Sequence, residues 1–140
     1  MNVQTPQVEG FYDPATSTLS YLLLDRASGA AALIDSVLDY DPKSGRTRTT
    51  SADRLLARVA ELGARVEWIL ETHVHADHLS AAAYLKAKLG AKVAIGDRIG
   101  SVQQVFGRLF NAGPEFATDG RQFDRLLADG ETLSLGSLEI

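Results

Sequence analysis

A cluster of three histidines at the end of an apolar segment is the feature that most constrains this chain. The apolar run at residues 66–70 leads into residues 72–78, which contain all 3 histidines of the protein and one aspartate. An alanine-rich segment with helical spacing follows at residues 79–89. A strand that ends in metal-ligand side chains and leads into a helix predicts a metal centre.

The spacing inside the cluster suits a single ion. His73 and His75 project to the same side of an extended segment, because side chains two positions apart share a face. Asp77 and His78 are then expected at the start of the following helix, where the macrodipole also favours an aspartate. We therefore predict His73, His75, Asp77 and His78 as metal ligands, with Asp77 and His78 also in catalytic roles.

The kind of ligand narrows the choice of metal without deciding it. Imidazole binds zinc, iron, copper and nickel, and the carboxylate shifts the preference toward zinc, iron or manganese. The chain has no cysteine, which disfavours a closed structural zinc site and favours a catalytic one. Such a metal can activate water, or it can bind dioxygen if it is ferrous iron held by two histidines and a carboxylate.

Three residues near the cluster have simpler interpretations. Thr72 either ends its strand or hydrogen-bonds a metal ligand, and the sequence leaves both alternatives open. Asp35, which follows a short apolar strand, is interpreted as a turn or cap residue and not as a ligand. Trp68 is expected in the core, on the same side of its strand as Val66 and Leu70.

The remaining pattern predicts an antiparallel meander followed by alternating helices and strands. Strands are expected at residues 8–12, 19–24, 30–34, 65–70 and 92–95, and a hairpin at residues 131–140. Helices are expected at residues 52–62, 79–89 and 99–109, with a polar loop at 40–50 and a loop containing a helical turn at 115–130. Thr50 with Asp53 resembles a capping box, and Gly63 and Gly90 stand where C-terminal glycines of helices belong.

These elements predict an α/β fold in one domain, residues 1–140. Strands come first and helix–strand alternation follows, which predicts a mixed sheet with helices on one face and the other face awaiting a partner layer. The last apolar run continues to Ile140 without a polar tail. We therefore expect the natural protein to continue beyond this point.

Composition excludes several classes of partner. The net charge of −4 argues against nucleic acid, because no basic excess is present to neutralise phosphates. No segment is long and apolar enough to span a bilayer, so no membrane association is expected. Residues 1–10 lack the basic and apolar regions of a secretory signal, and we expect a cytoplasmic location.

The order Thr-His-Val-His-Ala-Asp-His at residues 72–78 resembles the T-H-x-H-x-D-H signature of the metallo-β-lactamase superfamily. The order of elements agrees with the N-terminal half of that fold over essentially the whole chain. The resemblance implies a four-layer αβ/βα sandwich with the metal between two sheets. This chain would supply one sheet and its helices, as a single domain truncated at its C-terminal side.

Within that superfamily, residues 71–82 are most similar to the glyoxalase II and persulfide dioxygenase branch. Residues 32–37, 40–47 and 110–130 are similar to bacterial members of the dioxygenase group, the β-lactamase-like hydrolases. The resemblance implies an enzyme that acts on a small-molecule thiol or persulfide derived from glutathione. The persulfide dioxygenase is the preferred hypothesis, and a thioester hydrolase of the glyoxalase II type is the alternative.

The two enzymes would use the same side chains differently. In the dioxygenase, the resemblance implies one Fe(II) ion held by His73 and by a later histidine and aspartate, with His75, Asp77 and His78 orienting the site. In the hydrolase, one or two zinc ions are implied, His73 and His75 holding the first and Asp77 and His78 the second.

The family's later ligands have no counterpart in these 140 residues, since no histidine follows His78. We therefore expect the chain alone to bind metal weakly and to show little turnover. This keeps a third hypothesis open, a non-catalytic metal-binding or interaction fragment. A half-fold would expose an apolar sheet face, which favours association into a homo-oligomer.

Overall fold

A computed structural model of the protein describes residues 5–140. Residues 1–4, part of the segment in which we found no secretory signal, lie outside the described residues. In the described part of the chain, no helix combines the length and the apolar character needed to cross a membrane. In chain order the elements are β1 (Gln7–Asp13), β2 (Thr18–Leu24), β3 (Ala30–Ile34), β4 (Val37–Asp41), β5 (Arg46–Arg48), α1 (Thr50–Glu61), β6 (Arg65–Leu70), β7 (Leu79–Ser80), α2 (Ala82–Leu89), β8 (Lys92–Gly96), α3 (Ile99–Leu109), β9 (Arg125–Leu127), β10 (Ser134–Leu135) and β11 (Leu138–Glu139).

Six strands form the central sheet, in the order β1-β2-β3-β6-β8-β9. The first three strands pair antiparallel, which confirms the opening meander. From β3 onward the neighbours pair parallel. The carboxyl ends of β3, β6 and β8 therefore lie at one edge of the sheet, which is where ligand sites of open α/β sheets are found.

Helices α1 and α2 cover one face of this sheet. Leu22, Leu33 and Ile69 point toward them from the strands, Leu55 from α1 and Leu85 from α2, and each of these side chains is at most 1% exposed. This layer confirms the prediction that helices cover one face of the sheet. Burial of aliphatic side chains on this scale is the main source of stability in such a fold.

The terminal hairpin, β10 with β11, covers part of the opposite face. Leu135 is fully buried there against Ala30 and Ala32, with Trp68 beside them. The indole Nε1 of Trp68 donates a hydrogen bond of 3.1 Å to the carbonyl of Ser134. The face predicted to await a partner layer is thus partly occupied by the chain's own hairpin.

The prediction that Val66 lies on the same side of β6 as Trp68 and Leu70 is wrong. The register with β3 shifts so that Ala31 faces Val66 while Ala32 faces Trp68, which leaves Glu67 as an extra residue. A bulge of this kind reverses the alternation of side chains. Val66 and Ile69 therefore both face the helices, and Trp68 lies with Leu70 on the other side of the sheet.

The predicted start of α2 is also wrong. Leu79 and Ser80 form the short strand β7, which pairs with Leu38 and Val37 of β4, and the helix begins only at Ala82. No acidic residue lies in its first turn. Asp77 therefore does not lie at a helix N-terminus, and the macrodipole does not explain its position.

Three further expectations are corrected. The loop expected at residues 40–50 contains a hairpin between β4 and β5. The described residues 115–130 contain β9, which was not expected, and no helix, only single turns such as the bond of 2.9 Å from the Phe123 amide to the Gly120 carbonyl. The capping box does not form, because Thr49 is the N-cap residue of α1 and makes no side-chain capping bond. Instead, the carboxylate of Asp39 accepts bonds of 2.8 Å from the Ser51 amide and 2.5 Å from its hydroxyl.

Both predicted C-terminal glycines are confirmed. Gly63 follows α1 with φ of 60°, and Gly90 follows α2 with φ of 67°. This left-handed conformation allows the chain to leave a helix while satisfying its last carbonyls. At Gly63, the amide of Ala64 donates back to the carbonyl of Val59 at 3.0 Å.

Candidate metal centre

The three histidines gather directly after β6, at the carboxyl edge of the sheet. The ring centroids of His73 and His75 are 4.4 Å apart, and those of His75 and His78 are 4.2 Å apart. Asp77 joins His75 and His78 in a group whose possible ligand atoms all lie within 4.8 Å of one another. The structure thus brings together all four residues predicted as ligands.

His75 is the most enclosed of these residues, with a side chain only 5% exposed. Its Nε2 atom lies 3.2 Å from Asp35 Oδ1 and in a short contact with Glu71 Oε2. Because two carboxyl groups face Nε2 and an ionised carboxylate only accepts hydrogen bonds, we assign the proton of His75 to Nε2. The lone pair is then on Nδ1, which is buried without a hydrogen-bond partner and lies 3.5 Å from Asp77 Oδ1.

Asp35 belongs to this site, although the sequence suggested only a turn or cap. It adopts φ of 51°, and its carboxylate accepts bonds from the Thr72 amide at 2.8 Å and the Thr72 hydroxyl at 2.6 Å. It also forms a second group with His73 and His75, again with the possible ligand atoms within 4.8 Å of one another. The useful signal in the sequence was its place after β3, because β3 lies next to β6 and runs in the same direction.

Glu71 is the second residue that sequence reasoning missed. Its side chain is 4% exposed, and it accepts hydrogen bonds from the Ser80 hydroxyl and from His75 Nε2. Burial raises the pKa of this carboxyl, the hydrogen bonds from Ser80 and His75 oppose that rise, and the charge of Asp35 adds to it. A charged residue between a buried strand and a histidine cluster was the available signal.

Thr72 orients His73, which supports the second of its two interpretations. Its hydroxyl donates to Asp35 and lies 2.8 Å from His73 Nδ1. Because the hydroxyl proton is used by Asp35, the hydroxyl oxygen accepts from His73 Nδ1–H. The free lone pair of His73 is therefore on Nε2, 3.8 Å from Asp77 Oδ1, on a side chain that is 57% exposed.

His78 is fixed in a similar way. Its Nδ1 donates to the carbonyl of Leu79 at 2.9 Å, which leaves the lone pair on Nε2. At Asp77, partial burial raises the pKa, but a backbone hydrogen bond and the positive charge that the three histidines carry when protonated lower it by a larger amount, so the net pKa is below its usual value.

These donors fit a divalent first-row transition metal. Each histidine offers one lone pair because its other nitrogen has a hydrogen-bond partner, the arrangement that proteins use to orient metal-binding imidazoles. Asp77 adds a carboxylate that favours the charged form. The orphaned Nδ1 of His75 is the sharpest sign, because a buried acceptor without a partner is rare unless an ion or water satisfies it.

A mixed sheet with helices on one face and a histidine-rich cluster at its carboxyl edge defines a metal-binding α/β protein. Residues 13–139 match the family model of the metallo-beta-lactamase superfamily. The chain therefore belongs to the metallo-β-lactamase superfamily, which confirms both the resemblance of its motif and the predicted fold class.

Relatives within this superfamily have different names. The chain is 73% identical over 133 residues to a probable metallo-hydrolase of Burkholderia pseudomallei, covering 95% of this chain and 45% of that protein. It is 43% identical over 135 residues to glyoxylase B2 of Dictyostelium discoideum, covering 96% and 46%. It is 30% identical over 125 residues to human mitochondrial persulfide dioxygenase ETHE1, covering 89% and 37%.

Among solved structures, ETHE1 from Myxococcus xanthus superposes with a TM-score of 0.64 at 28% identity, covering 95% of this chain and 45% of that one. The chain thus spans less than half the length of each of these relatives. The similarity extends along nearly the whole chain, so the sheet and the histidine cluster are both included in it.

Proposed function

We propose that this chain carries part of the metal site of a persulfide dioxygenase, an enzyme that oxidises glutathione persulfide to sulfite with dioxygen at one Fe(II) ion. The overall change consumes glutathione persulfide, dioxygen and water and yields glutathione and sulfite. The S–S bond breaks, the outer sulfur is oxidised, and dioxygen is reduced. Ferrous iron, when bound, would supply the binding position for dioxygen.

The observation that carries this proposal is the exposed lone pair on His73 Nε2, which Thr72 orients, in a chain similar to persulfide dioxygenases. The hydrogen bonds to Asp35, Glu71, Thr72 and the Leu79 carbonyl leave one nitrogen free on each histidine. That arrangement supports a metal-dependent enzyme, and the similarity to the human and Myxococcus xanthus proteins supports the oxidative reaction.

The role that we assign to each residue follows from its exposure to solvent. His73, the most exposed histidine, is assigned as an iron ligand on the side from which substrate approaches. His75 and His78 are enclosed, and together with Asp77 they would orient the site and hold protons near it. Any remaining iron ligands would come from a part of the protein beyond these residues.

A thioester hydrolase of the glyoxalase II type is the second candidate. The observation that favours it is the complete group of His75, Asp77 and His78, which could hold an ion of its own. The 43% identity to glyoxylase B2 also exceeds the identity to the dioxygenase. In this enzyme His73 and His75 would hold one zinc ion, and Asp77 and His78 a second one.

Parallel assays on the natural protein, purified without oxygen, separate the two candidates. One iron per chain with oxygen uptake on glutathione persulfide supports the dioxygenase. Two metal ions per chain with cleavage of S-lactoylglutathione supports the hydrolase. Neither activity at full metal loading would contradict both and favour a non-catalytic interaction module. His73→Ala should abolish whichever activity is present, and Lys88→Ala, an exposed change on α2, should preserve it.

A further inference from the structure

An apolar groove of about 520 Å³ opens beside the histidine cluster, between α2, α3 and β8. His73, His75 and His78 form one end of it. The other walls are mostly apolar, with five polar residues among them, and the apolar side chains include Leu79, Ile95, Ile99, Val102, Phe106 and Phe116. Its volume lies within the range typical of small-molecule sites.

The outer wall of the groove is built by close packing of residues 116–122 on α3. Gly107 leaves room for the ring of Phe116, which would lie 3.4 Å from a Cβ at that position. About two helical turns earlier, a Cβ on Gly100 would lie 3.3 Å from the carbonyl oxygen of Thr118. Gln103, buried between these glycines, accepts a bond of 2.9 Å from the amide of Gly120.

The polar side chains of the groove already have partners within the protein. Gln103 donates to Gln122 at 2.9 Å, and Gln122 donates to the Ala117 carbonyl at 2.9 Å. Lys86 is held by both carboxylate oxygens of Asp124 at 2.7 Å. A ligand in this part of the groove therefore meets mainly apolar surface, where a polar ligand group would lose its hydration and find few hydrogen-bond partners.

We propose that this groove holds the apolar hydrocarbon part of an acyl group carried on the sulfur of the substrate. This inference rests on the second candidate function, the thioester hydrolase, because a persulfide carries only hydrogen on its outer sulfur, and the shared histidines place the thioester at the open end of the groove. It names the substrate class as thioesters with an apolar acyl group. Phe106 and Phe116, 45% and 41% exposed, are the surfaces that such an acyl group covers.

The test is a titration of the metal-free natural protein with S-methyl-, S-butyl-, S-hexyl- and S-octylglutathione, followed by calorimetry. Burial of each methylene is worth about 0.8 kcal/mol, so affinity should rise about fourfold per methylene until the groove is filled. Phe116→Ser should flatten this dependence on chain length. Val102→Phe, which narrows the groove without exposing it, should weaken the octyl compound and leave the methyl compound unchanged.

Leu109→Ser is the matched control, because Leu109 is 67% exposed on the same helix and lies outside the groove. It should keep the full dependence on chain length. Equal affinity across the series would overturn the proposal, including the case in which another segment of a longer protein fills the groove. Equal loss of the dependence in L109S and F116S would also overturn it.

The metal-free measurement keeps this inference separate from the proposed function. A chain-length dependence in a protein that neither consumes oxygen nor cleaves thioesters would support the groove and contradict the function. Turnover without any dependence of affinity on chain length would support the proposed function and contradict the role of the groove.

Discussion

Asp25 and Glu71 are buried carboxylates at opposite edges of the central sheet, and their surroundings differ. Asp25 follows β2 and accepts hydrogen bonds from the Ser28 hydroxyl at 2.6 Å, the Ala27 amide at 3.0 Å, and the amide and hydroxyl of Ser137 at 2.7 and 2.8 Å. These bonds hold its pKa well below the usual range. Glu71 follows β6, and burial raises its pKa, while hydrogen bonds from Ser80 and His75 oppose that rise.

The difference separates a stabilising edge of the sheet from a functional one. At the Asp25 edge, every bond favours the charged form, and the bonds to Ser137 attach the terminal hairpin to the sheet. At the Glu71 edge, the carboxylate remains short of donors and orients a histidine. Buried groups whose ionisation is disfavoured are typical of functional sites, whereas satisfied ones are typical of structural sites.

The largest effect is expected for His75→Ala, because His75 is common to both groups of possible ligands. We expect zinc and ferrous iron to bind about 100-fold more weakly or worse, since even an indirect partner of a ligand changes affinity by about 10–100-fold. Competition with a chelating dye measures this. Lys88→Ala is the control, and a change of less than threefold in His75→Ala would remove this residue from the site.

Glu71→Ala and Asp25→Ala test the comparison directly. Glu71→Ala should weaken metal binding by about 10-fold, the lower end of the effect of such partners, since Asp35 still faces His75. It should also raise the fraction of His75 with its proton on Nδ1, which ¹⁵N NMR of the imidazole detects.

Asp25→Ala should leave metal affinity unchanged and lower the melting temperature by about 5–10 °C, because the donors of Ser28 and Ser137 lose their acceptor. Thermal unfolding followed by circular dichroism measures it. If both variants changed the same property, the two edges would not differ in the way described.

Gly136→Ala tests the structural role of the site around Asp25. Gly136 has φ of 58°, and a Cβ there would lie 1.9 Å from the Ser28 hydroxyl and 2.6 Å from Asp25 Oδ2. We expect a loss of about 1–3 kcal/mol in the free energy of unfolding, with metal affinity unchanged. Gly130→Ala is the matched control, because φ is 76° there but, apart from its chain neighbours, no atom of the described residues lies within 4 Å of the added Cβ. An equal loss of unfolding free energy in the two variants would mean that the close packing at Gly136 does not affect stability.

The local features of the fold and the histidine cluster could be predicted because they depend on neighbouring residues. The period of apolar side chains indicated the helices, and Gly63 and Gly90 indicated where two of them end. The spacing of His73 and His75 placed two imidazoles together before any tertiary contact was known.

The parts that were missed depend on contacts between distant segments. Asp35 bonds to Thr72 across 37 positions, and that contact exists only because β3 and β6 are parallel neighbours. The bulge at Glu67 and the late start of α2 likewise follow from pairing with other strands. The burial of Glu71 was missed because apolar periodicity does not indicate a buried charge, although its place between β6 and the histidines was a signal.

The smallest effect concerns pH, and it tests the low pKa of Asp25. A carboxyl whose pKa is lower in the folded than in the unfolded protein adds stability above its unfolded pKa of about 3.9, and this stability is lost as pH falls through the folded pKa. Asp25→Asn lacks this contribution. The difference in melting temperature between the natural protein and Asp25→Asn should therefore be constant from about pH 7 to pH 5 and should shrink below about pH 4. Unfolding scans of both proteins across that range measure it. A difference that stayed constant down to about pH 2 would mean that the bonds from Ser28 and Ser137 do not depend on the charge of Asp25, and the contrast with Glu71 would then concern packing instead of ionisation.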